Sequence, residues 1–239
     1  LNPDGAQDYS RFNALGIDLN RDAIRLQCPE SRILKDVRDN IEAEFGFNLH
    51  DQSRYYSAGR APYPASISFL APAYNDRKEV NTVRKKAMQL IAVMDDVLQH
   101  YIPNQVGRFS DDFEPRAFGD NMQKWGTSTV LIEAGGLAND PEKQKLRRLH
   151  FTLLLSAFRS IAEASYSLRS ISEYEAIPEN TRKHHDLLLR QVKLNRDGQT
   201  YIVDLGFKQY LRLNYGHDEP YYYSSLVDIG DLSTEFGYT

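Results

Sequence analysis

Two short apolar runs in this chain each close on a residue able to move a proton or hold a metal. Phe47-Asn48-Leu49-His50 ends in a histidine, and Val130-Leu131-Ile132-Glu133 ends in a glutamate. If both runs are strands of one open α/β sheet, their carboxyl ends lie where such sheets bind ligands. A His and a Glu meeting there suit metal-assisted or general-base chemistry. Taken singly, each also reads as a hydrogen-bonded residue at a strand terminus. A second group lies nearer the amino end, where Arg11, Asn20 and Arg21 fall in a polar, turn-rich segment. Arginine presents a planar fork that matches a carboxylate bidentately, and asparagine adds an amide donor. An Asn-Arg pair in a loop is thus equipped to capture a substrate carboxylate; the plainer reading is of solvated loop residues.

The other candidates offer less. His184 and His185 are adjacent in a charged linker and cannot easily converge on one ion. His100 and His150 lie on helices without a partner one turn on, and His217 sits in a Gly-His-Asp loop. Cys28 has no accompanying His or Asp motif and reads as structural. The charges from Lys143 to Arg148 read as a solvated helix face. No glycine-rich phosphate loop is present.

The elements that must position these residues follow from periodicity. Pro29 opens a helix whose Leu34, Val37, Ile41 and Phe45 share one face, with Gly46 as its end. Ile67 to Leu70 reads as a strand stopped by Pro72. Asp76 with Glu79 reads as a capping box before a helix whose apolar stripe runs from Val80 to Tyr101 and which Pro103 ends. Residues 107–120 read as loop. Thr127 to Ala134 is a strand closed by Gly135-Gly136. Asp140 as N-cap and Pro141 at the first position open a further helix with Leu146, Leu153 and Ala157 inward. Ile177-Pro178 reads as a linker. Beyond it, Leu187 to Leu189, an Asp197-Gly198 turn and Tyr201 to Val203 give a hairpin signal. The tract through Tyr221-Tyr222-Tyr223 is aromatic without helical periodicity. The predicted fold is α/β: a mixed, mostly parallel sheet with flanking helices over 1–175, then a small β-rich segment over 176–239.

Composition narrows the function. The chain has 239 residues, 41% hydrophobic and 26% charged, enough to bury a core. Its 29 basic and 33 acidic residues leave a net charge of −4. With no basic excess to neutralise phosphates, nucleic acid and anionic membranes are poor partners. No apolar run approaches the ~18 residues of a membrane span. One cysteine excludes an intramolecular disulfide and any multi-cysteine metal site. That cysteine usage and the lack of an export signal point to the cytoplasm. The opening Asn2-Pro3-Asp4-Gly5 is turn chemistry, preceded by neither a methionine nor a signal peptide. The expectation is that further residues precede it in a longer protein.

Taken together, these stretches resemble the zinc carboxypeptidase family of the A and B type. The resemblance rests on Asn2-Pro3-Asp4-Gly5, on Arg11 through Arg21 with its Asp18-Leu19-Asn20-Arg21 block, on Pro29-Glu30-Ser31, on Asn48-Leu49-His50 and on Val130 through Gly135. It covers about residues 1–165, matching the later part of such a catalytic domain. It implies that His50 is one of three zinc ligands and that Glu133 is the general base. It implies that Arg11 stabilises the oxyanion, that Asn20 and Arg21 hold the substrate's terminal carboxylate, and that Asp18 orients a ligating histidine. The implied activity is zinc-dependent hydrolysis of a C-terminal amide bond in a peptide with a free carboxylate.

The chain also departs from the family pattern. No histidine is followed three residues later by glutamate, so the motif that carries the other two zinc ligands is absent. Residues 111–125 contain Phe113 and Phe118 where the family has a substrate-closing tyrosine. Asp51-Gln52 after His50 and Asp22-Ala23 after Arg21 mark a divergent subgroup. Sheet edges left open by a missing upstream part are expected to seek a partner, by self-association or from another chain. Two other activities fit the same residues: a non-catalytic module binding peptide carboxylates, and an amidase acting on cell-wall stem peptides.

Overall fold

The computed structural model describes residues 2–212 and 221–238; His217 lies outside them. Helix α1 (Pro3–Gln7) is a short piece capped by Asn2, whose side chain accepts the Gly5 N–H. A 3-10 turn at Leu19–Arg21 follows. Next come α2 (Pro29–Ile41), β1 (Phe45–Asp51), β2 (Tyr56–Ala58), β3 (Ile67–Leu70), α3 (Thr82–Gln99) and β4 (Val106–Arg108). Then follow α4 (Phe118–Lys124), β5 (Ser128–Ala134), α5 (Gln144–Ala162) and α6 (Ile171–Glu175). The chain continues through β6 (Asn180–Arg182), β7 (His184–His185), β8 (Leu187–Arg196), β9 (Gln199–Arg212), β10 (Tyr221–Gly230) and β11 (Phe236–Gly237).

The central sheet has the order β1-β5-β3-β4. β1 runs parallel to β5 and β3 parallel to β4, while β3 and β5 are antiparallel. This is the expected mixed, mostly parallel sheet. Strand alternation divides its two faces. Ile67, Phe69, Val130 and Ile132 turn to one side and pack with Leu90, Ile91, Met94 and Leu98 of α3 and with Leu146 and Leu153 of α5. Ser68, Thr129 and Glu133, one residue out of step, turn to the other side. The core face therefore fixes the register that places the candidate residues.

Several boundaries differ from the sequence reading. α2 ends at Ile41, not Gly46, because Glu42 turns left-handed at φ 50 and donates its N–H to Arg38. Phe45 is thereby freed to enter β1, where it meets Tyr166 edge-on at 5.1 Å. The cap of α3 is Asn81, whose side chain accepts the Arg84 N–H at 2.9 Å. Asp76 plays no part in it, and Glu79 instead bonds with Asn75. Val80 and Tyr101 fall outside the helix and are exposed. α5 starts at Gln144 with Lys143 at its N-cap, not at Pro141, but Asp140 still serves its first turn from before the start, accepting the N–H groups of Lys145 and Leu146 at 3.1 and 3.0 Å. The segment 107–120 holds the end of β4 and the start of α4.

The β-rich C-terminal region forms as expected. β8, β9 and β10 make an antiparallel sheet with β9 in the middle. The hairpin turn falls at Asp197 and Gly198, both with positive φ (53 and 77), the geometry that matches the twist of paired strands. β6 adds to β2, and β11 adds to β7. His184 and His185, read from sequence as part of a charged linker, instead form β7 and are buried. Gly206 of β9 passes so close to His185 that a Cβ would lie 2.6 Å from its ring. Among the described residues no helix is long and apolar enough to cross a membrane.

Candidate functional site

The site begins in the loop before α2. Asp18 caps the 3-10 turn, accepting the Asn20 N–H at 2.9 Å, and its other oxygen accepts from Arg11 Nε at 2.6 Å. Asn20 Oδ1 accepts the Phe118 N–H at 2.9 Å and so caps α4 from outside that helix. Asn20 also lines the groove between α2, β1 and α4. Asp22 accepts the N–H groups of Gln27 and Cys28 at 3.0 and 2.8 Å and closes this loop. Cys28 itself is buried, and burial together with the Asp22 carboxylate raises its thiol pKa, which suits a structural role.

Arg21 points elsewhere. Its Nη1 donates to the Asn20 carbonyl at 2.7 Å, and its Nε lies 3.3 Å from a Glu114 carboxylate oxygen. Glu114 also accepts two bonds from Arg116, at 2.9 and 2.8 Å. The Arg116 hydrogen bond leads in holding the Glu114 carboxyl down to about 2. An internal carboxylate thus occupies Arg21.

His50 and Glu133 close adjacent parallel strands and are partners in register. Ser68 of β3 is the next partner across, opposite Glu133, and Gly107 of β4 lies beyond it. All four therefore share one face of the sheet. Burial pushes the Glu133 carboxyl up to about 7, the neighbouring Asp51 carboxylate adds to this, and Lys143 opposes it. Lys143 pairs with Asp51 and donates to the Ala134 carbonyl at 3.0 Å. His50 is half-buried, and burial first, then the Arg11 guanidinium, lower its proton affinity. Near neutral pH the strand ends therefore hold a neutral imidazole beside a carboxyl close to its midpoint.

A tight polar network backs this row. Gln52 Nε2 donates to the Ala65 carbonyl at 2.9 Å and to Ser68 Oγ at 2.8 Å. Asn180 Nδ2 donates to Gln52 Oε1 at 3.0 Å, and Ser68 Oγ donates to Asn180 Oδ1 at 3.0 Å. Gly107 makes room for it, since a Cβ there would lie 1.9 Å from Asn180 Oδ1.

The structure thus joins Arg11 to Asp18 and sets His50 beside Glu133. Asn20 and His50 line one apolar groove of about 680 Å3 between α2, β1 and α4, walled by Leu34, Val37, Phe47 and Met122. Arg21 is held by Glu114 instead. Sequence reading missed Glu114, the Asp51–Lys143 pair and the Gln52–Ser68–Asn180 network. Asp51 and Gln52 stand directly after His50, which was the one signal for them. His50 is the sole expected zinc donor, and among the described residues no three His, Cys, Asp or Glu side chains are placed to hold a metal ion. A catalytic zinc takes three protein donors, so the residues present do not by themselves fit one. No family model, curated protein or solved structure matches the chain.

Proposed function

We propose that this chain carries the carboxylate-recognition and proton-transfer side of a carboxypeptidase-like hydrolase acting on the C-terminal amide bond of a peptide. The observation that carries this reading is Glu133 beside His50 at the carboxyl ends of paired strands, with the Glu133 carboxyl held near 7. A base poised at the operating pH transfers protons best, and such a group adds about 10²–10⁴-fold to a rate. In this reading the substrate carboxylate takes the Asn20 amide and displaces Glu114 from Arg21. Arg11, more than half exposed, swings from Asp18 to the developing oxyanion, where a positive charge strengthens as negative charge forms. Ionised Glu133 takes a proton from water and hands it to the leaving amine. No step here runs through zinc.

Calorimetric titration with a peptide acid and with its C-terminal amide tests recognition, while product analysis with and without added zinc tests turnover. Binding of the acid alone, with hydrolysis abolished by Glu133→Gln, is the expected result. Equal binding of acid and amide sinks the carboxylate assignment. The lone metal donor favours a second reading, a module that binds peptide carboxylates without cleaving them. Acid-selective binding with no turnover under any metal condition selects it. Turnover of side-chain-linked stem-peptide amides but not of linear peptides selects the amidase reading.

A further inference from the structure

The β8–β10 sheet is turned inside out. In an antiparallel sheet with one wet face, the apolar face normally meets the core. Here the polar face meets the body: Gly206 lies against His185, Lys208 Nζ stands 4.8 Å over the Tyr55 ring, and Tyr55 donates to the Gln209 carbonyl at 2.8 Å. The residues one step out of phase point away from the body. They form ladders across all three strands, Leu189–Leu205–Ile229 and Leu187–Phe207–Leu226. The same face continues apolar to Leu194 opposite Tyr201 at one end and Leu211 opposite Tyr222 at the other. Gln209 opposite Ser224 is its polar interruption, and between those ends no described residue on it is charged. Leu211, Tyr222 and Ile229 are 50%, 63% and 51% exposed.

Bulges at Leu189/Val192 and Leu226/Asp228 keep this segregation intact. Each adds a residue just where simple alternation would have turned charge outward, and Arg190 pairs with Asp204 on the inner side at 2.8 Å. Strands of about ten residues make a face of roughly 34 Å by 14 Å. Two such faces bury about 950 Å2 before side-chain relief is counted, close to the roughly 1,000 Å2 at which specific interfaces begin. An uncharged face offers nothing to a phosphate or an acidic partner. A second copy brings a face of the same apolar chemistry, and a two-fold axis sets the two against each other.

We propose that this face is a homodimer interface, in which two copies stack their β8–β10 sheets into a six-stranded sandwich. Sedimentation velocity on the whole chain over a dilution series tests it, with two variants. Leu211→Lys/Ile229→Lys charges the face, and Leu49→Lys charges the open edge of β1. The expected result is a dimer that the face variant halves in mass and the edge variant leaves intact. Hydroxyl-radical footprinting of the unaltered protein supplies a second readout that does not depend on the variants folding. Oxidation of Leu211, Tyr222 and Ile229 should fall as concentration rises, while that of Leu49 stays constant. A monomer throughout, a dimer that survives the face variant, or association lost through Leu49→Lys alone overturns the proposal.

Discussion

Glu133 keeps its proton to higher pH than a solvated carboxylate because its strand end is buried and Asp51 stands beside it. The folded chain therefore binds this proton more tightly than the unfolded chain does. The stability that follows is fully present below 4.5 and is lost as pH rises through about 7. Glu133→Gln removes the effect. The variant should match the parent in acid and exceed it by on the order of 2–3 kcal/mol at alkaline pH. Urea melts at both pH values check this, and a parallel offset at every pH would show that Glu133 does not titrate as described. Glu114 offers a second test. In the proposed reading it competes with a substrate carboxylate for Arg21 through a part-exposed ion pair, a contact worth about 0.2–1 kcal/mol. Glu114→Gln should tighten binding of a peptide acid by up to about fivefold and leave the peptide amide unchanged, as read by calorimetry. His50 and Glu133 were legible because each closes an apolar run. Glu114 was not, since nothing local to residue 114 announces a contact with a turn near the other end of the sequence.

At the level of elements, legibility tracked the strength of periodicity. The apolar stripes of α3 and α5 and the runs of β3 and β5 announce themselves, because burial on one or both faces demands them. Helix ends were less readable. Three of them depend on side chains whose hydrogen-bond choice is set by the turn geometry: Asn81 rather than Asp76, Asp140 from a turn away, and Asn20 capping α4 from a distant loop. α4 itself was missed for that reason, since the residue at its N-cap, Ala117, has no polar side chain to cap with. The Asp140 carboxylate accepts two N–H groups at the start of α5, and α5 supplies part of the core. Asp140→Ala should cost about 1–2 kcal/mol. Asp140→Asn should recover most of the loss, measured by chemical denaturation. No loss on Asp140→Ala would mean that those N–H groups find water instead.

For the molecule as a whole, protonation acts in opposite directions on its two larger sheets. His184 and His185 are 2% and 4% exposed where β7 supports β9, and burial lowers both imidazole pKa values. The unfolded chain takes up these protons first. The stability the pair supplies is thus present above 6.5 and is lost as pH falls below it. The Glu133 end of the central sheet gains over much of the same range. Acidification from about pH 7 to about pH 5 should therefore loosen β8–β10 while the β1-β5-β3-β4 sheet holds. Pulsed hydrogen exchange resolves the two, and uniform loosening of both sheets would refute the division.

Asn20 gives the molecule a built-in reporter. Its carbonyl oxygen is committed to the first N–H of α4, and the residue also lines the groove. If a substrate carboxylate takes the Asn20 amide as proposed, it acts on a side chain already tied to α4. The Phe118 amide resonance should then move when a carboxylate arrives, ahead of any catalysis and without an added label.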